Sequence, residues 1–326
     1  RFDGLRFDAV HAIENDAFLD AMAAELREKT AARHVHLVLE NEGNDAERLH
    51  PAAFDAQWND DFHNVLHVLL TGETSAYYAD FADRPAERLA RCLGEGFIYQ
   101  GEGSPNHDGK PRGKPSAHLS PTAFVAFLQN HDQIGNRAMG ERLTLLADRQ
   151  KLRAATALLL LGPQIPLLFM GDDHGSESPF LFFTDFHDDL ADAVREGRRK
   201  EFAKFAGFAD PEARKAIPDP NAHETFHRSR AQRGPDATAW QDLYRNLLKI
   251  RHEQITPRLR NAAAIGAEAI GEGAVVARWT LGDDAVLTIA LNLGEAAVSF
   301  PEIETAPIFA DGERGQSGSI AVWLEP

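Results

Sequence analysis

Cysteine is almost absent from this chain, which has 326 residues and one cysteine, Cys92. A single cysteine excludes an intramolecular disulfide framework, and no CxxC pair is present to offer thiolates to a metal. No charged segment followed by an apolar one stands at the beginning of the sequence, so we expect no secretory signal there. These features indicate a reducing compartment, and we expect a cytoplasmic protein.

Uninterrupted apolar runs and an excess of positive charge are lacking as well. The longest apolar stretch, residues 154–170, is broken by glycine, proline and glutamine at positions 162–164 and again by proline at 166. A membrane-spanning helix needs about 20 consecutive apolar residues, so none is expected. The chain has 34 Lys and Arg against 50 Asp and Glu, a net charge of −16. This balance argues against nucleic acid or an anionic membrane as a partner.

Strand-like runs alternate with helical periods along the first three quarters of the chain. The runs end in polar residues and lie at 5–8, 34–39, 122–128 and 166–170, and the helical periods lie at 16–30, 86–93, 142–161 and 240–251. This alternation predicts βα units and a parallel sheet. The polar residues then lie at the carboxyl ends of the strands, which is the face where a (β/α)8 barrel carries its active site.

The texture of the sequence changes at about residue 257. Short runs at 274–279, 285–293, 297–300 and 319–324 are separated by glycine-containing turns, which is typical of antiparallel strands. We therefore predict two domains, a parallel α/β domain over residues 1–256 and a small all-β antiparallel domain over residues 257–326.

Two carboxylates follow successive predicted strands. Asp8 and Glu40 are 32 residues apart, about one βα repeat, so adjacent barrel strands would place them side by side. Arg6 precedes Asp8 by two residues and points to the same side of the strand, where its charge would keep Asp8 ionised. A third carboxylate, Asp132, follows His131 at another strand end. Glycosidic hydrolysis requires such paired carboxyl groups, one ionised and one protonated.

Three motifs occur in the order that the α-amylase superfamily has them. Residues 3–11 read DGLRFDAVH, residues 37–42 read LVLENE and residues 127–133 read FLQNHDQ. They resemble the second, third and fourth conserved regions of that superfamily. The resemblance implies Asp8 as the nucleophile, Glu40 as the acid/base and Asp132 as the residue that stabilises the transition state. It also implies that Arg6 and His131 orient the substrate.

Further strings resemble the trehalohydrolase branch of the superfamily. They are QWNDDFHN at 57–64, GFIYQG at 96–101, HDQIGNR at 131–137 and ESPFLFFTD at 177–185. The resemblance implies a retaining hydrolase that cleaves the α-1,4 bond next to the trehalose end of maltooligosyltrehalose. The residues expected to bind this substrate or another α-glucan are Arg6, His11, Asp60, Asp61, His63, Asn64, Asn130, His131, Gln133 and Asn136.

Other interpretations of these residues stay open. His63 could be a buried histidine at a helix start, and His11 could only bridge loops. Trp58 and the aromatics at 77, 78 and 81 could stack on sugars or belong to the core. The fourteen histidines show no HExxH spacing, so we expect no metal and no cofactor. Asn64 stands where the family usually has histidine, and Asp172 and Asp173 stand where it has two glutamates.

The matching motifs correspond to strands four to eight of a (β/α)8 TIM barrel followed by a small all-β domain. The first conserved region and the amino-terminal β-sandwich of the family have no counterpart. We therefore expect the missing amino-terminal half of the barrel as a partner, and no activity from residues 1–326 alone. Alternatives are a branching or debranching enzyme of the same superfamily, or a non-catalytic glucan-binding fragment.

Overall fold

The computed structural model describes residues 2–13, 15–50, 53–204 and 206–326. It divides into two compact units. The first unit contains residues 1–128, 148–167 and 246–326, and the second contains residues 129–147 and 168–245.

A five-stranded parallel sheet forms the centre of the first unit. Its strands follow chain order and are β1 (Gly4–Phe7), β2 (His36–Leu39), β3 (Ala56–Trp58), β4 (Phe124–Ala126) and β5 (Ile165–Pro166). The sheet confirms the parallel pairing expected from the βα pattern. β3 lacked a sequence signal of its own because three residues are too few to show a period.

Ten α-helices lie within the described residues. They are α1 (Asp16–Lys29), α2 (Asp60–Thr71), α3 (Pro85–Glu95), α4 (His131–Gly135), α5 (Leu143–Leu146), α6 (Arg149–Leu161), α7 (Asp188–Glu201), α8 (Pro211–Lys215), α9 (His223–Arg228) and α10 (Ala237–Ile250). The single helix expected over 142–161 is two helices, because the Asp148 carboxylate accepts from the backbone N–H groups of Gln150 and Lys151 and starts α6 anew.

The second sheet of the first unit is antiparallel, as expected from the carboxy-terminal texture. Its strands are β6 (Ala263–Gly271), β7 (Ala274–Thr280), β8 (Val286–Asn292), β9 (Phe309–Asp311) and β10 (Ser319–Glu325), in the order β6-β7-β8-β10-β9. The strand expected at 297–300 was wrong. That segment is a loop in which the Val298 N–H donates to the Gly315 carbonyl at 2.9 Å, and the Asn292 amide donates to the same carbonyl at 2.8 Å and to the Ala296 carbonyl just before the segment at 2.9 Å. The domain boundary expected between residues 256 and 257 stays a prediction.

Apolar side chains fill the space between these elements. One buried cluster contains Leu37, Leu39, Phe54, Phe97 and Phe124, and so includes residues of β2 and β4. The antiparallel sheet packs against α3 and α6, and the Trp279 indole donates to the Leu93 carbonyl at 3.2 Å. Among the described residues, no helix is both long and apolar enough to span a membrane.

Two glycines that end helices provide a test of this packing. Gly72 ends α2 and Gly96 ends α3, both at positive φ. A Cβ on Gly72 would meet nothing within 4 Å, whereas a Cβ on Gly96 would lie 2.1 Å from the Phe124 ring. We expect Gly72→Ala to lower the free energy of unfolding by about 1 kcal/mol, the cost of the backbone conformation.

Gly96→Ala adds a collision in the core to the same backbone cost, so we expect a loss of at least about 3 kcal/mol. Denaturant unfolding of the complete protein, with Gly72→Ala as the matched control, measures both values. Equal losses for the two variants would show that the Phe124 ring does not closely cover Gly96.

Candidate active site

The strongest cluster of predicted site residues lies at the carboxyl ends of β1 and β2. The Arg6 guanidinium lies between two carboxylates, with Nη1 at 2.5 Å from Asp8 Oδ1 and Nη2 at 3.9 Å from Glu40 Oε2. Asp8 is largely exposed, whereas Glu40 and Arg6 are mostly buried. One fixed cation therefore contacts both carboxylates that the sequence predicted to work as a pair.

The backbone around Ala9 holds Glu40 in place. Ala9 has a left-handed conformation with φ of 45°, and its N–H donates to Glu40 Oε2 at 2.5 Å. The Glu40 N–H donates to the Phe7 carbonyl at 2.9 Å, and the Val10 N–H donates to the Glu40 carbonyl at 3.1 Å. The turn after β1 is thus fastened to the end of β2 on both sides of Glu40. Its carboxylate has little freedom to move relative to Asp8.

Trp58, the last residue of β3, completes the surroundings of Arg6. The guanidinium carbon lies 3.9 Å from the centroid of the Trp58 ring, and Trp58 contacts Phe127 at a centroid distance of 5.6 Å. Such a cation–π contact is worth about 0.5 to 2 kcal/mol, depending on how far it is removed from water. The ring face that Arg6 covers is not available for stacking on a sugar.

His11 lies in a loop contact. Its Nδ1 accepts from the Glu42 N–H at 3.3 Å, and its Nε2 is 3.9 Å from the Glu42 carboxylate. His107 reaches the same carboxylate from another loop at 3.3 Å. His11 therefore bridges the loops that follow β1 and β2. Its predicted contact with substrate stays a prediction.

Asp61 is fully buried in the described chain and holds other parts of the structure together. Its carboxylate accepts from the Asn44 amide at 2.9 Å, from the backbone N–H of Ile98 at 2.8 Å and from Arg112 at 3.1 Å. These bonds join the start of α2 to the loops after β2 and α3. In the structure Asp61 joins these segments, and its predicted contact with a sugar stays a prediction.

The remaining predicted residues at the start of α2 differ in exposure. His63 is buried, its Nδ1 lies 2.6 Å from the Leu128 carbonyl oxygen, and its Nε2 lies 3.4 Å from the Tyr78 hydroxyl. Asp60 and Asn64 are half-buried. This geometry matches the interpretation of His63 as a buried histidine at a helix start, and sugar binding by the three residues stays a prediction.

The second unit carries the predicted residues around Asp132. Asn130 is buried and its Oδ1 accepts from the Asp132 N–H at 2.8 Å, which caps α4. His131 and Asp132 are about half exposed, and their side chains lie 3.4 Å apart. Gln133 is half-buried and Asn136 is exposed. Asn130 thus caps the helix that begins beside Asp132, and the predicted contacts of these residues with substrate stay predictions.

A buried polar group in the second unit was not predicted as functional. Asp172 accepts from the Gln129 amide at 2.7 Å and from the Phe169 N–H at 2.9 Å. Burial raises the pKa of its carboxyl from 3.8 to about 6, and the Arg142 guanidinium at 4.0 Å offsets only part of that rise. Arg142 also donates to the carbonyls of Ser178 and Met170.

Sequence reasoning missed the contacts of Trp58 and Arg142. Trp58 was weighed only as a sugar platform or a core residue, and its position at a strand end was the signal that it faces the same edge as Arg6. Arg142 had a weaker signal, a single arginine just before an apolar helical run. Neither partner follows from spacing, because each contact joins segments far apart in the chain.

Comparisons with known proteins agree with this fold. Residues 262–323 match the model of a domain of unknown function, DUF3459. The chain is 35% identical to the malto-oligosyltrehalose trehalohydrolase of Rhizobium sp. strain M-11, covering 100% of this chain and 56% of the relative. It is 38% identical to the enzyme of the same name from Deinococcus radiodurans, covering 87% of this chain and 49% of the relative.

A solved structure is similar over nearly the whole chain. It comes from Salmonella typhimurium, is described as a candidate alpha amylase and is 44% identical, with a TM-score of 0.90 over 99% of this chain and 57% of that one. The chain spans about half the length of the curated relatives it matches. These similarities confirm the expected relationship to the malto-oligosyltrehalose trehalohydrolases. They also confirm the expected fold class, a partial (β/α)8 barrel followed by an antiparallel β domain.

Asp172 provides a pH-dependent prediction. Because its pKa is raised from 3.8 to about 6, the folded protein keeps a proton that the unfolded chain has already lost. The free energy of unfolding should therefore fall as the pH rises from about 4 to about 6, by up to roughly 3 kcal/mol.

Asp172→Asn should remove this part of the decline, because the amide does not titrate. Asp173→Asn, the exposed neighbour, should keep most of it, because burial is the main cause of the raised pKa of Asp172 and the Asp173 charge adds little. Denaturant unfolding of the complete protein and both variants between pH 4 and pH 7 makes the comparison. An unchanged decline in Asp172→Asn would contradict the raised pKa.

Proposed function

We propose that this chain, a relative of the malto-oligosyltrehalose trehalohydrolases with the fold of the α-amylase superfamily, is part of a retaining glycoside hydrolase. Its substrate is maltooligosyltrehalose, and it hydrolyses the α-1,4 bond next to the trehalose end. The observation that carries the proposal is the pair of Asp8 and Glu40 at the ends of adjacent parallel strands, with Arg6 in contact with both.

The two carboxylates have different environments, which supports Asp8 as the nucleophile and Glu40 as the proton donor. Asp8 is exposed, and its contact with the Arg6 guanidinium at 2.5 Å orients the carboxylate for attack on the anomeric carbon. Glu40 is mostly buried and accepts from a backbone N–H, so it is held in a fixed orientation to give a proton to the leaving oxygen.

The proposed reaction proceeds in two displacements. Asp8 forms a bond to the anomeric carbon while the glycosidic bond breaks and Glu40 protonates the departing trehalose. Glu40 then takes a proton from water, whose oxygen attacks the same carbon and releases Asp8. We expect the two carboxyl groups to lie about 5–5.5 Å apart in the substrate complex, the separation of retaining enzymes. Asp132, by the resemblance of its motif, stabilises the positive charge that develops on the sugar.

The edges of the parallel sheet support the expectation of further barrel strands. Within the described residues, no strand pairs with the outer side of β1 or of β5. A (β/α)8 barrel closes only when its first and last strands pair, and open edges invite non-native pairing. We propose that the amino-terminal half of the barrel covers these edges in the complete enzyme. The chain alone should therefore release no trehalose.

Product analysis tests the proposed substrate. The complete protein should release trehalose from maltooligosyltrehalose and act much more slowly on the linear maltooligosaccharide of equal length. A branching enzyme would instead form α-1,6 linkages, and a debranching enzyme would hydrolyse them in a branched glucan. Either product pattern, or glucan binding without turnover, would replace the proposed function with the corresponding alternative.

Substitution of the two carboxylates tests the assigned roles. We expect Asp8→Asn to abolish nearly all turnover. Glu40→Gln should reduce turnover of maltooligosyltrehalose by about 100- to 10,000-fold because general acid catalysis is lost. An α-glucoside with a good leaving group needs little protonation, so Glu40→Gln should retain much more of its activity on that substrate.

Initial rates on both substrates make the comparison, and Glu47→Gln, an exposed glutamate on the loop after β2, is the matched control. An equal loss for Glu40→Gln on both substrates would contradict its role as proton donor.

A further inference from the structure

Two histidines and one aspartate lie together at the amino-terminal ends of β2 and β3. His34 precedes β2, His36 begins it and Asp55 comes directly before β3. One ring nitrogen of each histidine and one carboxylate oxygen of Asp55 lie within 4.8 Å of one another, and His34 Nε2 is 3.1 Å from Asp55 Oδ1. Two ligands of one zinc ion, each about 2.1 Å from the metal, lie roughly 3.4 Å apart in a tetrahedral site.

The carboxylate of Asp55 is held in a fixed orientation by its other oxygen. Asp55 Oδ2 accepts from the Leu37 N–H at 2.7 Å and from the Arg27 guanidinium at 2.9 Å. Arg27 also donates to the carbonyls of Val35 and Ala53, so it joins the segments that carry the histidines and the aspartate. Such outer bonds orient a metal ligand, and Oδ1 remains on the side of His34.

The neighbouring strand leaves space around His36. Gly4 is the residue paired with His36 across β1 and β2. A Cβ on Gly4 would lie 3.0 Å from the His36 Cβ and 2.9 Å from its carbonyl oxygen. Because Gly4 carries no side chain, nothing from this paired position crowds His36. Both histidines are exposed, so a cation can reach them from solvent.

We propose that His34, His36 and Asp55 bind a divalent transition-metal ion of the zinc type, with water completing the coordination. Two imidazole nitrogens and one carboxylate oxygen are donors that zinc accepts readily. The sequence predicted no metal because its ligands share no known motif, the third being 19 residues after the second.

The position of the site separates it from the proposed chemistry. β2 begins at His36, and Glu40 follows its other end, four residues later, which is about 13 Å along an extended strand. The ion would fasten the segment before β2, β2 itself and the approach to β3, and so stabilise the fold. The inference therefore does not depend on the proposed function.

Zinc titration of the complete protein, freed of metal with a chelator, tests the site. We expect one zinc ion per chain with a Kd below about 10 µM, and a higher thermal unfolding temperature in excess zinc, which the chelator reverses. His34→Ala and His36→Ala should each weaken binding about tenfold or more, since even changes to residues behind metal ligands cost about 10- to 100-fold. His118→Ala, an exposed histidine outside the cluster, is the matched control and should bind as the unsubstituted protein does.

Thermal unfolding in chelator alone shows whether the variants are folded, because exposed histidines contribute little to stability without the metal. Zinc binding weaker than the stated limit in the unsubstituted protein overturns the proposal. Binding that His34→Ala and His36→Ala leave unchanged overturns it too, because the ion would then lie elsewhere.

Discussion

The parallel pairing of β1 with β2 is the constraint on which the candidate site depends. Arg6 pairs with Val38 and Phe7 with Leu39, so the two strands end at the same level of the sheet. Asp8 and Glu40 therefore emerge side by side, although 31 residues lie between them. A shift of this register by one residue would move every side chain of the strand to the opposite face. The backbone bonds between the turn at Ala9 and Glu40 extend the same pairing beyond the last strand residue.

Two charged side chains of the first unit, Arg6 and Asp61, each make several contacts. Arg6 contacts both carboxylates and the Trp58 ring, so a change at any one of these positions alters the surroundings of the others. Asp61 has a comparable place among the loops, since one buried carboxylate holds Asn44, Ile98 and Arg112. A buried carboxylate is tolerable only when its oxygens are satisfied in this way. The proposed barrel mouth thus depends on charged groups that themselves need not touch a sugar.

The two ends of the strands in the parallel sheet have different roles in the proposals. The carboxyl ends of its strands carry the groups assigned to catalysis, and the amino-terminal ends of β2 and β3 carry the histidines and the aspartate of the proposed metal site. A division between a catalytic end and a stabilising end is typical of (β/α)8 barrels. Arg27 and Asp55 already join three segments at the stabilising end without a metal. A bound cation would add to an existing connection.

The sequence by itself determined the elements and the motifs that depend on nearby residues. Alternation of strands with helical periods predicted the parallel sheet, and the motifs around Asp8, Glu40 and Asp132 predicted the relationship that the comparisons confirm. It could not predict β3, because three residues show no period, nor the loop at 297–300, where an apolar run suggested a strand. The sequence also left open whether His63 is buried. Near the start of a helix, the order of residues does not show by itself which side of the helix faces the core.

Only the tertiary structure decided which distant side chains meet. The contact of Arg6 with Trp58, the four segments joined at Asp61 and the cluster of His34, His36 and Asp55 each combine residues from separate elements. Strand register, helix packing and loop closure set these distances, and all three arise from the collective burial of apolar side chains such as Leu37, Leu39 and Phe124. The spacing of residues along the chain predicts which segments form helices and strands. The positions of these elements relative to one another follow from how their apolar faces pack.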